Sequence, residues 1–265
     1  MPYLCEAIIS VLSRWFPRET AFVGTYLVYD VVALVFSFSL LYCWLLRWHP
    51  KPLAVLGTLF ACAGAPVAYW HHYFQPWSLL ELGLFTAGLM SVLARRHEVL
   101  AMLVILYTLL RETGVMLVFA YGIMYASEGE ERHRREAWVW TAALAALWGV
   151  VYFGLRGWLG VAPHAESIAR IASLNFSLNN LLKFALYLPL MFGGFLVLAK
   201  HGFRQAPPAL RRLTYVGVPY LMVMAVWAIW SEVRVFLPLY SLVLPLGLYA
   251  VQDWLGISSA ASENA

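Results

Sequence analysis

The amino-acid sequence predicts an all-α, polytopic helical membrane protein with about eight membrane segments, one of them broken or re-entrant. Three observations carry that expectation. Of 265 residues, 62% are hydrophobic and 12% charged, with a mean hydropathy of +0.72, where a soluble domain carries about a quarter charged residues. Aromatic side chains make up 16% of the chain, which excludes a disordered polymer. The apolar runs are continuous and near the ~20 residues that a helix needs to cross hydrocarbon. They lack the alternating pattern of an outer-membrane barrel, and only helices remain to satisfy the backbone in lipid.

In chain order, residues 1–21 read as an interfacial amphipathic helix. Glu6 and Arg14 interrupt an amphipathic pattern, and no basic stretch precedes a short apolar core as in a cleaved signal. Residues 22–251 form a single transmembrane domain, with clean spans expected at 22–47, 53–70, 77–94, 137–159, 181–200, 213–230 and 235–251. Residues 252–265 read as a short polar C-terminal tail. The remaining segment, 99–125, is long enough to cross but carries Arg111, Glu112, Thr113 and Gly114 at its centre. Charges at that depth cost several kcal/mol unless they face protein or water.

The positive-inside bias decides how that segment runs. If it enters and leaves on one face, the inside receives Arg47, Lys51, Arg95, Arg96, Arg132, Arg134, Arg135, Lys200, Arg204, Arg211 and Arg212, eleven of the 18 basic residues. The outside then holds Arg14, Arg18, Arg156, Arg170, Lys183 and Arg234. A full crossing would move the richest cluster, Lys200 to Arg212, outside. The re-entrant version is therefore expected, with the C-terminus cytoplasmic and the protein integral to the membrane.

The net charge of +4 and pI near 9.0 do not mark a nucleic-acid protein, because the basic residues cap apolar runs instead of forming a stripe. Cys5, Cys43 and Cys62 show no spacing for a disulfide or zinc framework. No fixed-period repeat and no paired broken helices are visible, which disfavours an inverted-repeat transporter.

Charged and polar residues near the membrane are the candidates for chemistry. Arg111 and Glu112 cannot point the same way on one helix, so a break at Thr113-Gly114 lets one face a cavity and the other a neighbouring span. They read either as a structural ion pair or as groups that meet a ligand phosphate. Glu232 and Arg234, two apart between short spans, suit a lipid-linked phosphate at the membrane boundary or form a snorkelling pair. His71 and His72 lie in an aromatic outer loop and read either as ligands or bases or as part of an interfacial belt. Asp30, Glu81 and Lys183 are individually ambiguous. Asn175, Asn179 and Asn180 are placed to cap the following helix. The histidines sit at span ends, so haem is not expected, and no metal set shows at a recognisable spacing.

The stretches YFQPWSLLELGLFTAGL, LARRHEVLAMLVIL and LLRETGVMLVFAYGIMY, followed late by WSEVRVFLPLYSLVLPL, resemble bacterial multi-spanning proteins related to GT-C-fold glycosyltransferases. In that group an aromatic loop precedes a span, a basic turn and a helix broken at Arg-Glu-Thr, and the last span follows a Glu-x-Arg turn. The resemblance covers about two-thirds of the chain. It implies a GT-C-like fold in a bacterial inner membrane and transfer of a sugar from a polyprenyl-phosphate donor on the outer face. A carboxylate in the first outer loop would act as base or as ligand to a divalent metal. That loop has no clear counterpart here. The nearest acids are Glu19 and Asp30, and Glu232 is the other candidate for the catalytic carboxylate, with Arg234, Arg111, Glu112, His71 and His72 as candidates for substrate binding.

Two readings follow. One is a glycosyltransferase acting on a lipid-linked sugar. The other is a non-catalytic accessory or scaffold subunit that kept the helices, lost the catalytic loop and contacts membrane lipids and other membrane subunits through its 12 tryptophans.

Overall fold

A computed structural model of the chain describes residues 2–68, 77–126, 131–160 and 167–257. All regular structure among them is helical. The candidates His71 and His72 lie outside the described residues.

Helix α1 (Pro2–Leu12) packs Cys5 and Ile9 against α2 (Arg18–Leu46) and leaves Ile8 and Val11 exposed, as are Trp15 and Phe16 in the turn that follows. Pro17 precedes α2, which starts a turn earlier than the apolar run suggests because Pro at the helix entry cannot be tolerated further in. Helix α3 (Lys51–Ala68) returns antiparallel. It approaches through glycines: Gly57 faces Leu45 and Leu248, and Gly64 faces Tyr240 and Met191.

The core is formed by α4 (Ser78–Leu93) and α13 (Tyr240–Trp254). Both are apolar on nearly every side, which is the pattern of a helix surrounded by protein. Ser37 Oγ donates to the Leu79 carbonyl at 2.6 Å, and Thr86 Oγ1 lies 2.7 Å from Ser241 Oγ. Trp44 Nε1 donates to the Ser241 carbonyl at 2.7 Å. From Ser37 to Trp44 and from Leu79 to Thr86 the chain advances by equal steps, so α2 and α4 run parallel and meet α13 at one level.

Helix α5 (His97–Leu110) ends at Arg111, which is extended (φ −159°, ψ 146°), and a 3-10 turn, Glu112–Gly114, leads into α6 (Val115–Tyr125). Gly114 is required there, since a Cβ would meet Thr108 Oγ1 and the Thr108 backbone. The chain then turns back. Tyr121 Oη lies 2.9 Å from His97 Nε2, and Tyr125 Oη donates to the Val92 carbonyl at 2.6 Å. The Arg95 guanidinium sits 4.4 Å above the Tyr125 ring. Residues 97–125 are thus a helical hairpin whose two ends adjoin, with its tip at the Arg-Glu-Thr-Gly element.

Helix α7 (Glu131–Leu159) runs along the hairpin, with Trp140 stacked on His97 at 4.3 Å, and is otherwise largely exposed. Helices α8 (Ile168–Asn175), α9 (Leu178–Phe192), α10 (Phe195–Gly202), α11 (Pro208–Thr214) and α12 (Gly217–Trp227) follow, and a 3-10 segment, Val233–Leu239, enters α13. Helix α9 is capped by Ser177, whose Oγ accepts from Asn180 N at 3.4 Å. The asparagine cap expected at this point is thereby replaced, and Asn175 instead holds the Ala228 carbonyl and Trp230 N, each at 2.8 Å.

Among the described residues, four helical stretches are long and apolar enough to cross a membrane: Arg18–Leu46, Lys51–Ala68, Glu131–Trp158 and Val233–Trp254. A fifth arises if α9 and α10 count as one span bent by 60°. The bend falls at Gly193, whose φ of 51° suits glycine alone, so the run 181–200 is not the straight span expected. The run 213–230 is interrupted as well, because α12 stops at Ala228, where the backbone turns extended. Helix α13 continues past the expected start of the tail, and Gln252 is buried there against His49.

The basic connections gather at one end of the bundle. Tyr249 Oη donates to the Trp48 carbonyl at 3.3 Å, and Gln205 Nε2 donates to Asp253 Oδ2 at 2.8 Å. The turn from α2 to α3 and the loop after α10 thus both meet the end of α13, beside Arg47, Lys51 and Arg204. The parallel course of α4 takes Arg95 and Arg96 to the same end. The tip of the hairpin points the other way.

Candidate functional site

At the hairpin tip, Arg111 reaches a carboxylate that the sequence leaves ambiguous. Glu81 lies in the first turn of α4 and is completely buried. Its Oε2 accepts from Arg111 Nη1 at 2.9 Å, and its Oε1 accepts from Thr113 Oγ1 at 2.8 Å and from Tyr107 Oη at 3.1 Å. Thr113 and Arg111 come from the turn and Tyr107 from one helical turn earlier on α5, so one carboxylate gathers both sides of the break. A buried charge requires such partners. Tyr220 of α12 packs at a tilt against Phe85, with ring centroids 6.1 Å apart, and donates its hydroxyl to the Val235 carbonyl at 2.5 Å. It ties the cluster to the 3-10 segment before α13.

Beside this cluster lies a cleft of about 280 Å³. Arg111, Glu112 and Thr113 form its floor, Trp148, Tyr152 and Arg156 of α7 one wall, and Val223, Met224 and Trp227 of α12 the other. On α7 the three side chains are spaced four apart and therefore share a face. Trp148 stacks on Tyr152 at 5.1 Å with planes 10° apart, and the Arg156 guanidinium lies 5.4 Å from the Tyr152 ring centroid. Trp148 Nε1 donates to the Glu112 carbonyl at 3.2 Å, which anchors the turn to α7. The Glu112 side chain is exposed and is not the partner of Arg111. The cleft therefore offers two guanidinia and a carboxylate between aromatic walls, next to the exposed apolar surface of α7.

The other candidates from the sequence stand elsewhere. Arg234 Nη2 donates to Glu232 Oε2 at 2.7 Å, and neither residue lines the cleft. Arg234 is buried rather than presented at the surface. Glu19 is exposed in the first turn of α2, and Asp30 is half-buried further along that helix. Among the described residues, no three His, Cys, Asp or Glu side chains converge on a point that could hold a metal ion.

Sequence reasoning missed Glu81 as the partner of Arg111 and missed Arg156 as part of a site. The signal for the first was present: a carboxylate and a guanidinium, each costly in its own apolar run, stabilise one another if they meet. Arg156 shows no such signal, because a cation in the last turn of a span reads equally as topology.

No protein-family model, curated protein or solved structure matches this chain.

Proposed function

We propose that the protein binds a phosphate-bearing lipid headgroup in the Arg111–Arg156 cleft and transfers a sugar carried on that phosphate, the donor being a polyprenyl-phosphate sugar on the outer face of a bacterial inner membrane. The observation that carries this reading is the pairing of two guanidinia with an exposed carboxylate in an aromatic-walled cleft at the end of the bundle away from the basic connections. Guanidinia match phosphate geometry, and aromatic faces suit the C–H faces of a sugar. In transfer, the acceptor hydroxyl oxygen bonds to the anomeric carbon as the bond from that carbon to the phosphate oxygen breaks. The lipid phosphate leaves with the electron pair. Arg111 and Arg156 stabilise the charge that develops there, and Glu112 takes the acceptor proton. This assigns Glu112 the base role for which the sequence nominates Glu232, Glu19 and Asp30.

The test is transfer of labelled sugar from a polyprenyl-phosphate donor by purified protein. Glu112→Gln should abolish turnover while donor binding persists, and Arg156→Ala should weaken donor binding. Failure of the wild type both to bind and to transfer from any such donor overturns the proposal.

The accessory-subunit reading is favoured by one feature, the exposed apolar flank of α7 with Val139, Val150 and Phe153. Purification in mild detergent with a stoichiometric partner on that flank, and no transfer by the complex, would favour it.

A further inference from the structure

We infer that Glu81 sets the charge the cleft accepts, selecting a single phosphate group over a diphosphate. The inference rests on the reading of the cleft as a phosphate site. Glu81 is fully buried and absent from the cleft lining, so it meets no ligand. It acts through Arg111, which is itself 18% exposed. Its Nη1 is committed to Glu81, which leaves N–H groups on the other guanidinium nitrogens to turn to the cleft. Arg111 is thereby a directed hydrogen-bond donor whose charge is already balanced.

The same holds for the site as a whole. The lining carries Arg111, Arg156 and Glu112, and Glu81, paired to Arg111 from outside it, brings the set to two charges of each sign. A neutral site of low polarity accepts a single phosphate through geometry and rejects each further negative charge, since no uncompensated cation remains to meet it. Tyr107 and Thr113 have a different task. Both donate to Glu81 Oε1 and fix where the carboxylate stands without altering the charge.

The two roles separate experimentally. Loss of position lowers the affinity for every phosphate ligand by one factor. Loss of charge changes the ratio between ligands, because the added field acts in proportion to ligand charge. The measurement is binding of farnesyl phosphate and farnesyl diphosphate to the full chain in maltoside micelles, read from the fluorescence of the tryptophans that line the cleft. Wild type should favour the monophosphate by about tenfold, and Glu81→Gln should shift that ratio toward the diphosphate by about tenfold. Thr113→Val and Tyr107→Phe should weaken both ligands equally. Glu81→Asp, which restores the charge, should restore the ratio.

If Glu81→Gln does not fold, the paired variant Glu81→Gln/Arg111→Gln carries the test. It leaves the net charge of the cleft unchanged, so both affinities should fall while the ratio stays at the wild-type value. A Glu81→Gln variant with an unchanged ratio, or a paired variant with a shifted one, overturns the inference. Wild type that binds both ligands without preference overturns this inference alone, whereas wild type that binds neither removes the phosphate reading on which it stands.

Discussion

Tyr121, near the end of α6, and His97, at the start of α5, share a hydrogen bond of 2.9 Å. Residues 24 positions apart in the chain therefore stand at one level of the bundle. A segment that enters and leaves on one face must have this property. Single cysteines at the exposed positions Arg96 and Arg132, in a background lacking Cys5, Cys43 and Cys62, should react with an impermeant maleimide from the same side of oriented vesicles. Reaction from opposite sides would sink the hairpin topology.

The Arg111–Glu81 pair should behave as a buried ion pair. Arg111→Leu strands a fully buried carboxylate and should cost about 3–5 kcal/mol, seen as an early loss of helicity on thermal or detergent-induced unfolding. Adding Glu81→Leu should recover much of that loss, because apolar replacement of a whole buried pair is often close to neutral. A double variant less stable than Arg111→Leu would show that the pair is not a closed unit.

Glycines at helix contacts and glycines at open positions should respond in opposite directions. A Cβ on Gly202 would run into the Leu246 backbone where α10 crosses α13, so Gly202→Ala should destabilise by about 1–3 kcal/mol. Gly154 on α7 has nothing within 4 Å of a Cβ, and Gly154→Ala should stabilise by about 0.5–1 kcal/mol through helix propensity. Melting temperatures in one detergent compare the two. Equal effects would contradict the packing described.

The turn between α2 and α3 should make stability depend on pH. His49 is buried with Nδ1 3.2 Å from Gln252 Oε1 and Nε2 2.9 Å from the Pro245 carbonyl. Burial lowers its pKa from the ordinary 6.5, and the two hydrogen bonds oppose that shift without cancelling it. A lowered folded value means that the unfolded chain binds the proton more readily. Stability is therefore full above about pH 6.5 and declines as pH falls below it toward the folded pKa. His49→Gln should flatten the dependence of melting temperature on pH between 5 and 8, and an unaltered slope would assign the effect to another group.

Much of the architecture is legible in the sequence because hydrophobic runs and basic caps are physical requirements of a bilayer. The break at Arg111 is legible because a charged pair followed by glycine cannot continue an apolar helix at no cost. Segment lengths are less so. The bend at Gly193 and the stop at Ala228 are set by backbone conformation and by a distant asparagine, Asn175, neither of which alters hydropathy. Glu232 and Arg234 stand out in the sequence as charges at a span junction, yet they pair with one another away from the cleft. The cleft draws Trp148, Tyr152 and Arg156 from one face of a helix that reads as an ordinary span, and only its position beside the hairpin tip makes that face a wall.

The lengths of the hairpin arms set the thickness of bilayer that the hairpin could fill. Its first arm, α5, has 14 residues and its second, α6, has 11, so the arms rise about 21 Å and 17 Å against a hydrocarbon layer of about 30 Å. The tip stops short of the far headgroups, and α7, the neighbour on that flank, ends in the exposed Trp158, a side chain that favours the interface. In a bilayer of that thickness, lipids beside so shallow an edge would shorten or tilt to cover it, at a fraction of a kcal/mol per Å. On the lipid-phosphate reading proposed above, such thinning would bring the headgroup plane toward Arg111, so that a long-chain lipid would present its phosphate there without leaving the bilayer.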